Sequence, residues 1–269
     1  MSMAGEFRFA ACIILAWLLV VASASARTDP VFIEDMTSPE VRAAIASGRN
    51  VAIYYAGSIE QNGPHMATGK HNAVARHVAE RIARTLGNAL VYPVMPFAPT
   101  GDAAARTGHM AFPGSVSVSE ATFGAVAREV SQSAIAAGFR WVFLMGDHGG
   151  GQETLGRVAV DLDREWKPKG VRVFHVPDLY FGTEKSVGAY LESRGLVAGA
   201  HAGLPDTSEL MHVERSGRML RRDRMVPGDG ANGVDGDPRK STAAMGKTFV
   251  RFKVDNAVRQ IRGLMSAPH

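Results

Sequence analysis

One short stretch, Gly57 to His71, reads GSIEQNGPHMATGKH and sets a carboxylate, Glu60, beside two imidazoles, His65 and His71. Carboxylate and imidazole are what a hard-to-borderline divalent ion such as zinc or manganese takes from a protein. Three further segments hold groups of the same kind. They are TGHMAFPG from Thr107 to Gly114, with His109; GDHGGGQE from Gly146 to Glu153, with Asp147 and His148; and HAGLPDTSE from His201 to Glu209, with Asp206. Brought together, these loops would give one or two ions a carboxylate-imidazole shell with positions open to water and substrate. Metal-dependent enzyme chemistry is the first expectation.

The elements that must carry these loops alternate between strand and helix. VAIYYA, from Val51 to Ala56, reads as a buried strand feeding the Glu60 segment. Asn72 can cap a helix to Leu86, with Val74, Val78, Ile82 and Leu86 recurring every four residues. Gly87 ends it, and Ala89 to Met95 reads as a strand stopping at Pro96. A long loop follows from Phe97 to Ser117. Ser119 then caps a helix to Ala137, closed by Gly138, and Trp141 to Met145 is another strand. Gly149 to Gly151 turn into a helix from Gln152 to Trp166, ahead of a strand from Val171 to Val176. Helices are expected over Glu184 to Arg194, Asp206 to His212 and Thr242 to Met265. This alternation predicts a mostly parallel sheet with helices on both faces. In such a sheet the carboxyl ends of the strands share one edge, where distant loops can meet.

The first residues have a different layout. Arg8, an apolar run from Phe9 to Val21, and Ala24-Ser25-Ala26 before Arg27 make a secretory signal peptide over residues 1–26, cleaved near Ala26. The run is short of the roughly 20 residues of a spanning helix; an uncleaved anchor is the alternative. Export and no stable membrane association after cleavage are the expectations. Cys12 is the only cysteine, so the mature chain can form no disulfide and offers an ion only nitrogen and oxygen. The formal charge of +4 is spread thinly. Its densest cluster, Arg218, Arg221, Arg222 and Arg224, has no aromatic residues interleaved, which argues against nucleic acid as a partner. With no internal repeat or linker, residues 27–269 read as one domain.

Five segments in order resemble the creatininase (creatinine amidohydrolase) family: GSIEQNGPH (Gly57 to His65), FPG (Phe112 to Gly114), DHGGG (Asp147 to Gly151), HAGLPDTS (His201 to Ser208) and GVDGDP (Gly233 to Pro238). The match is collinear over nearly the whole mature chain. The resemblance implies a three-layer α/β/α sandwich, a divalent-metal site and hydrolysis of amide-type C–N bonds in small molecules. It also implies homo-oligomers, often hexamers. Glu60 and His148 stand at metal-binding positions of the family. Asn62 stands where creatininase has histidine, His71 where the family has a bridging aspartate, Gly150 where it has an acidic ligand, and Asp206 where it has glutamate. These departures favour one ion over two, held by Glu60, His71, His148 and Asp206, with Asn62, His65 and His109 behind them. Zinc is the expected ion, with manganese or iron as alternatives. The implied mechanism needs a group to move the proton of metal-activated water. His201 is the first candidate and Asp147 the second, while the backbone N–H groups of Gly149, Gly150 and Gly151 could hold the oxyanion.

Plainer roles compete. Asp206 and Glu209 fit a D-x-x-E capping box, His65 could only brace its loop, and His175 and His212 read as packing or surface residues. HGGG is also an oxyanion motif of serine esterases, but the chain has no G-x-S-x-G nucleophile elbow. A non-catalytic exported small-molecule-binding protein on the same fold is the remaining rival.

Overall fold

The computed structural model describes residues 29–267, so the expected signal peptide over residues 1–26, Cys12 included, lies outside the described residues. The sheet has four parallel strands, β1 (Val51–Ala56), β2 (Ala89–Val91), β3 (Trp141–Gly146) and β4 (Arg172–His175), in the order β2-β1-β3-β4. The α-helices are α1 (Ser38–Ala46), α2 (Lys70–Leu86), α3 (Glu120–Ala137), α4 (Gln152–Trp166), α5 (Phe181–Glu192), α6 (Leu204–Val213) and α7 (Ala243–Ser266).

β1 is apolar at every position because both faces of the sheet are covered. Val51, Ile53 and Tyr55 enter one core with Val74, Val78 and Ile82 of α2 and Val250, Val254 and Ile261 of α7. Ala52, Tyr54 and Ala56 enter the other, with Phe123 and Ala127 of α3 and Leu155 and Leu162 of α4. The strand's period of two therefore builds helix, sheet and helix as three layers, the α/β/α sandwich expected. Each large apolar side chain sealed in these cores contributes roughly 1.5–3 kcal/mol.

Local signals set most boundaries. The Ser119 hydroxyl accepts the Thr122 N–H at 3.1 Å to start α3, and Gly138 ends it with φ +108°. β2 is shorter than the apolar run from Ala89 to Met95. The Tyr92 N–H donates to the Ile53 carbonyl at 2.9 Å and the Met95 N–H to the Tyr55 carbonyl at 3.0 Å. Three steps along one strand match two on the other, a bulge at Pro93, which has no N–H to give the ladder. α2 starts at Lys70 rather than after Asn72. Asn72 packs instead on Gly57, where a Cβ would collide with its Oδ1.

Two placements matter for function. The chain leaves β1 for β2 on one side and comes back to β3 on the other. The carboxyl ends of β1 and β3 thus flank the crevice where open α/β sheets bind ligands. Near the C-terminus, α7 packs tightly on α6 through Gly246, where a Cβ would collide with the Ser208 carbonyl oxygen. This close approach brings Lys253 of α7 to Glu209 of α6, 2.8 Å apart.

Candidate metal centre

β1 runs into the loop carrying Glu60, β3 runs into Asp147 and His148, and the first turn of α2 holds Lys70 and His71. All of them meet at the crevice. Glu60 is fully buried and central. Its Oε1 lies 3.0 Å from His71 Nε2, 3.8 Å from His109 Nε2 and 3.8 Å from His201 Nδ1. Its Oε2 lies 2.9 Å from His148 Nε2 and accepts the Ser58 hydroxyl at 2.9 Å. Burial pushes this carboxyl's pKa up, but the His71 charge and the bonds from His148 and His71 outweigh burial and hold it far below the usual range.

Behind His71 runs a buried line of charge. His71 Nδ1 lies 2.8 Å from Asp147 Oδ2, and Asp147 Oδ1 accepts from Lys253 Nζ at 2.7 Å and from the Tyr55 hydroxyl at 3.1 Å. Asp147 is pulled down to about 2: burial opposes ionisation, but Lys253 and His71 win. Glu209, on the far side of Lys253, is raised, first by burial and then by Asp147. Burial and Lys70 depress His71, yet Glu60 and Asp147 lift it to about 9. His71 Nε2 also lies 2.8 Å from Lys70 Nζ. It donates to Glu60 when the ring carries both protons and accepts from Lys70 when the ring is neutral.

Among the described residues, one group has ligand atoms all within 4.8 Å of one another: Glu60, His109 and His148. Donors about 2.0–2.1 Å from a tetrahedral ion stand roughly 3.3 Å apart. The contacts from Glu60 to His148 and His109, 2.9 and 3.8 Å, bracket that spacing. One carboxylate and two imidazoles suit zinc or iron, and manganese less closely. The ring protons are the cost. His148 Nδ1 accepts the Gly150 N–H at 2.9 Å, and His109 Nδ1 faces the Gln61 amide nitrogen at 3.2 Å. As neutral rings both then carry their proton on Nε2, toward Glu60. To hold an ion through Nε2 these rings would carry their protons on Nδ1 instead, where the Gly150 and Gln61 N–H groups now stand.

The other expected residues lie around this group. His109 stands in the trio rather than behind it. Asp206, whose Oδ1 lies 2.9 Å from Lys70 Nζ, accepts the Ala202 N–H at 2.8 Å, so it closes the turn before α6. It does so without Glu209, which pairs with Lys253 instead of completing a capping box. Asn62 turns its amide back to the Glu60 carbonyl at 2.9 Å, and His65 Nε2 meets the Thr207 hydroxyl at 2.9 Å. Both brace loops. Gly149 lines the pocket, while the Gly150 N–H is committed to His148. Gly151, at φ +85°, starts α4. His201 differs from the other imidazoles of the cluster. Its Nε2–H donates to the Gln61 carbonyl at 2.8 Å, and a carbonyl can only accept. The lone pair on Nδ1 is therefore left facing the site, on a ring whose pKa burial lowers.

A cavity of about 380 Å³ opens above Glu60, His109, His148 and His201, walled by Tyr180 and Glu184. Reading the sequence by motif missed Lys70, Gln61 and Lys253. Lys253 carried a signal: it falls on the apolar face of α7 between Val250 and Val254. A charge at such a position is buried only with a partner.

The creatininase family model, described as creatinine amidohydrolase, matches residues 34–261. The mycofactocin precursor peptide peptidase of Mycobacterium tuberculosis (strain ATCC 25618 / H37Rv) is 30% identical over 240 residues, covering 79% of this chain and 84% of that protein. The creatinine amidohydrolase of Pseudomonas putida is 29% identical over 118 residues, 44% of this chain and 45% of that protein. Among solved structures, a mutant creatininase of Zn–Zn type superposes with a TM-score of 0.74 at 22% identity, over 89% of this chain and 100% of the other. A creatininase in its Mn form superposes with a TM-score of 0.72 at 22% identity, over 88% of this chain and 100% of the other.

Proposed function

This chain belongs to the creatininase family, and from that premise we propose that it hydrolyses an amide-type C–N bond, cyclic or linear, with one divalent ion held by Glu60, His109 and His148. The observation that carries the reading is the polarity of His201. It is the imidazole of the cluster whose lone pair faces the cavity while its proton is tied to a backbone carbonyl. An ion held by Glu60, His109 and His148 would supply polarisation of the scissile carbonyl and a water of pKa about 7. His201 Nδ1 is placed to take a proton from an attacking water and return it to the leaving nitrogen. Asp147, the other candidate for this role, is 2% exposed and fully engaged by His71, Lys253 and Tyr55. Its role is to position His71. The Gly149 backbone faces the cavity and is the available edge of the glycine turn for the oxyanion.

The relatives named above act on a cyclic amide and on a precursor peptide. Their shared chemistry is C–N hydrolysis, and the cavity volume suits a small amide or the end of a short peptide. Zinc is the ion we assign, in keeping with the donor set. We also assign export with cleavage near Ala26, supported by the apolar run and small-x-small site, and a homo-oligomeric state, supported by the family resemblance. Among the described residues no helix is long and apolar enough to cross a membrane.

The test is amine release from a panel of lactams, linear amides and dipeptides by zinc-loaded protein, beside His201→Ala. The expected result is turnover of a panel member that falls about 10²–10⁴-fold in the variant while bound zinc is unchanged. Bound zinc with no amine released from any panel member would favour the binding-protein reading.

A further inference from the structure

The mechanism leaves one buried cation unused. Lys70 is 1% exposed, and its Nζ stands 2.8 Å from His71 Nε2 and 2.9 Å from Asp206 Oδ1. His71 Nε2 is itself 3.0 Å from Glu60 Oε1. An imidazole nitrogen and a carboxylate oxygen thus flank the ammonium directly, and a second carboxylate stands one contact away. These are the donor types a divalent ion takes, and here the cation among them is tethered to the chain.

Charge and spacing agree. Two protonated nitrogens cannot face each other at the 2.8 Å of the Lys70–His71 contact, so one donates and the other accepts. Lys70 Nζ stands within hydrogen-bond reach of both His71 Nε2 and Asp206 Oδ1. A lysine buried this completely is stable only when paired, and the side chains that pair it are thereby taken out of service as ligands. Consistent with this, the trio with ion-compatible spacing among the described residues includes Glu60, His109 and His148 but neither His71 nor Asp206.

We propose that Lys70 is a built-in monovalent cation filling the place between His71 and Asp206 that a second divalent ion would otherwise take, so that the centre binds one ion. The inference rests on the metal-binding reading of Glu60, His109 and His148. It adds a reason for the stoichiometry that lies in a residue no ligand motif includes.

The test counts zinc by calorimetric titration and elemental analysis of the chelator-stripped full chain, as wild type, Lys70→Met and Lys70→Arg. Circular dichroism checks the fold of each, and Lys70→Gln replaces Lys70→Met if the latter does not fold. Expected are one equivalent in wild type and Lys70→Arg, and two in the neutral variant, the second lost again when Asp206→Asn is added. Two equivalents in wild type, or one in a folded neutral variant, would overturn the role of Lys70 and leave the metal-binding reading standing. No zinc in wild type would overturn both.

Discussion

Asp147 Oδ1 and Lys253 Nζ meet at 2.7 Å in a buried contact that ties the end of β3 to α7. Through His71 on one side and Glu209 on the other, this contact links the candidate metal centre to the C-terminal helix. Removing one charge strands the other. Asp147→Asn is expected to cost about 3–5 kcal/mol, measured by urea unfolding. Adding Lys253→Met should return part of that loss, and a double-mutant cycle without coupling would count against the contact as a structural tie.

The resemblance to the creatininase family puts an acidic ligand at the position of Gly150, and the backbone explains why a side chain is absent. A Cβ there would collide with the Pro99 carbonyl oxygen. Gly150→Glu should therefore destabilise the protein by about 1–3 kcal/mol and add no ion, with thermal melting and elemental analysis as the readouts. A stable variant with two ions would show that the Pro99 loop yields.

His175 gives a pH dependence remote from the metal ligands' own titration. Its Nε2–H donates to Gln152 Oε1 at 2.9 Å, and the Gln152 amide nitrogen donates to the His148 carbonyl at 2.8 Å. Burial lowers His175 from 6.5 to about 4. A histidine that binds its proton more weakly folded than unfolded contributes stability above pH 6.5, and that contribution is lost as the pH falls toward 4. Between pH 7 and pH 5 wild type should lose about 2 kcal/mol more than His175→Gln. Equal losses in urea unfolding would contradict this.

Metal uptake should switch the tautomer of two rings. His109 and His148 present Nε2–H groups to Glu60 because Gln61 and Gly150 occupy their Nδ1 atoms. A neutral ring that ligates through Nε2 carries its proton on Nδ1, so zinc is expected to convert both rings to the Nδ1–H form, which the nitrogen-15 chemical shifts of the two rings report. Ring shifts unchanged on saturation with zinc would contradict ligation through these Nε2 atoms.

Much of the architecture was legible because its signals are local. The apolar run of β1, the Ser119 cap and the Gly138 stop act over a few residues, and Glu60 and His148 follow directly from strands that pair side by side. What was not legible depends on contacts remote in sequence. The bulge at Pro93 appears only in the register against β1. His109 lies in a long loop without periodicity, and its ring comes to 4.4 Å from that of His201, centroid to centroid. Lys70 follows a glycine in a polar segment that reads as solvated. Only the meeting of α2 with Asp206 shows that its charge is buried.

The most direct measurement is elemental analysis of the purified full chain beside Glu60→Ala, His109→Ala and His148→Ala. Near one equivalent of zinc, manganese or iron in wild type, lost in all three variants, is the expected result. Absence of metal from wild type after reconstitution, or full retention in His109→Ala, would contradict the assignment of these three residues as the metal centre.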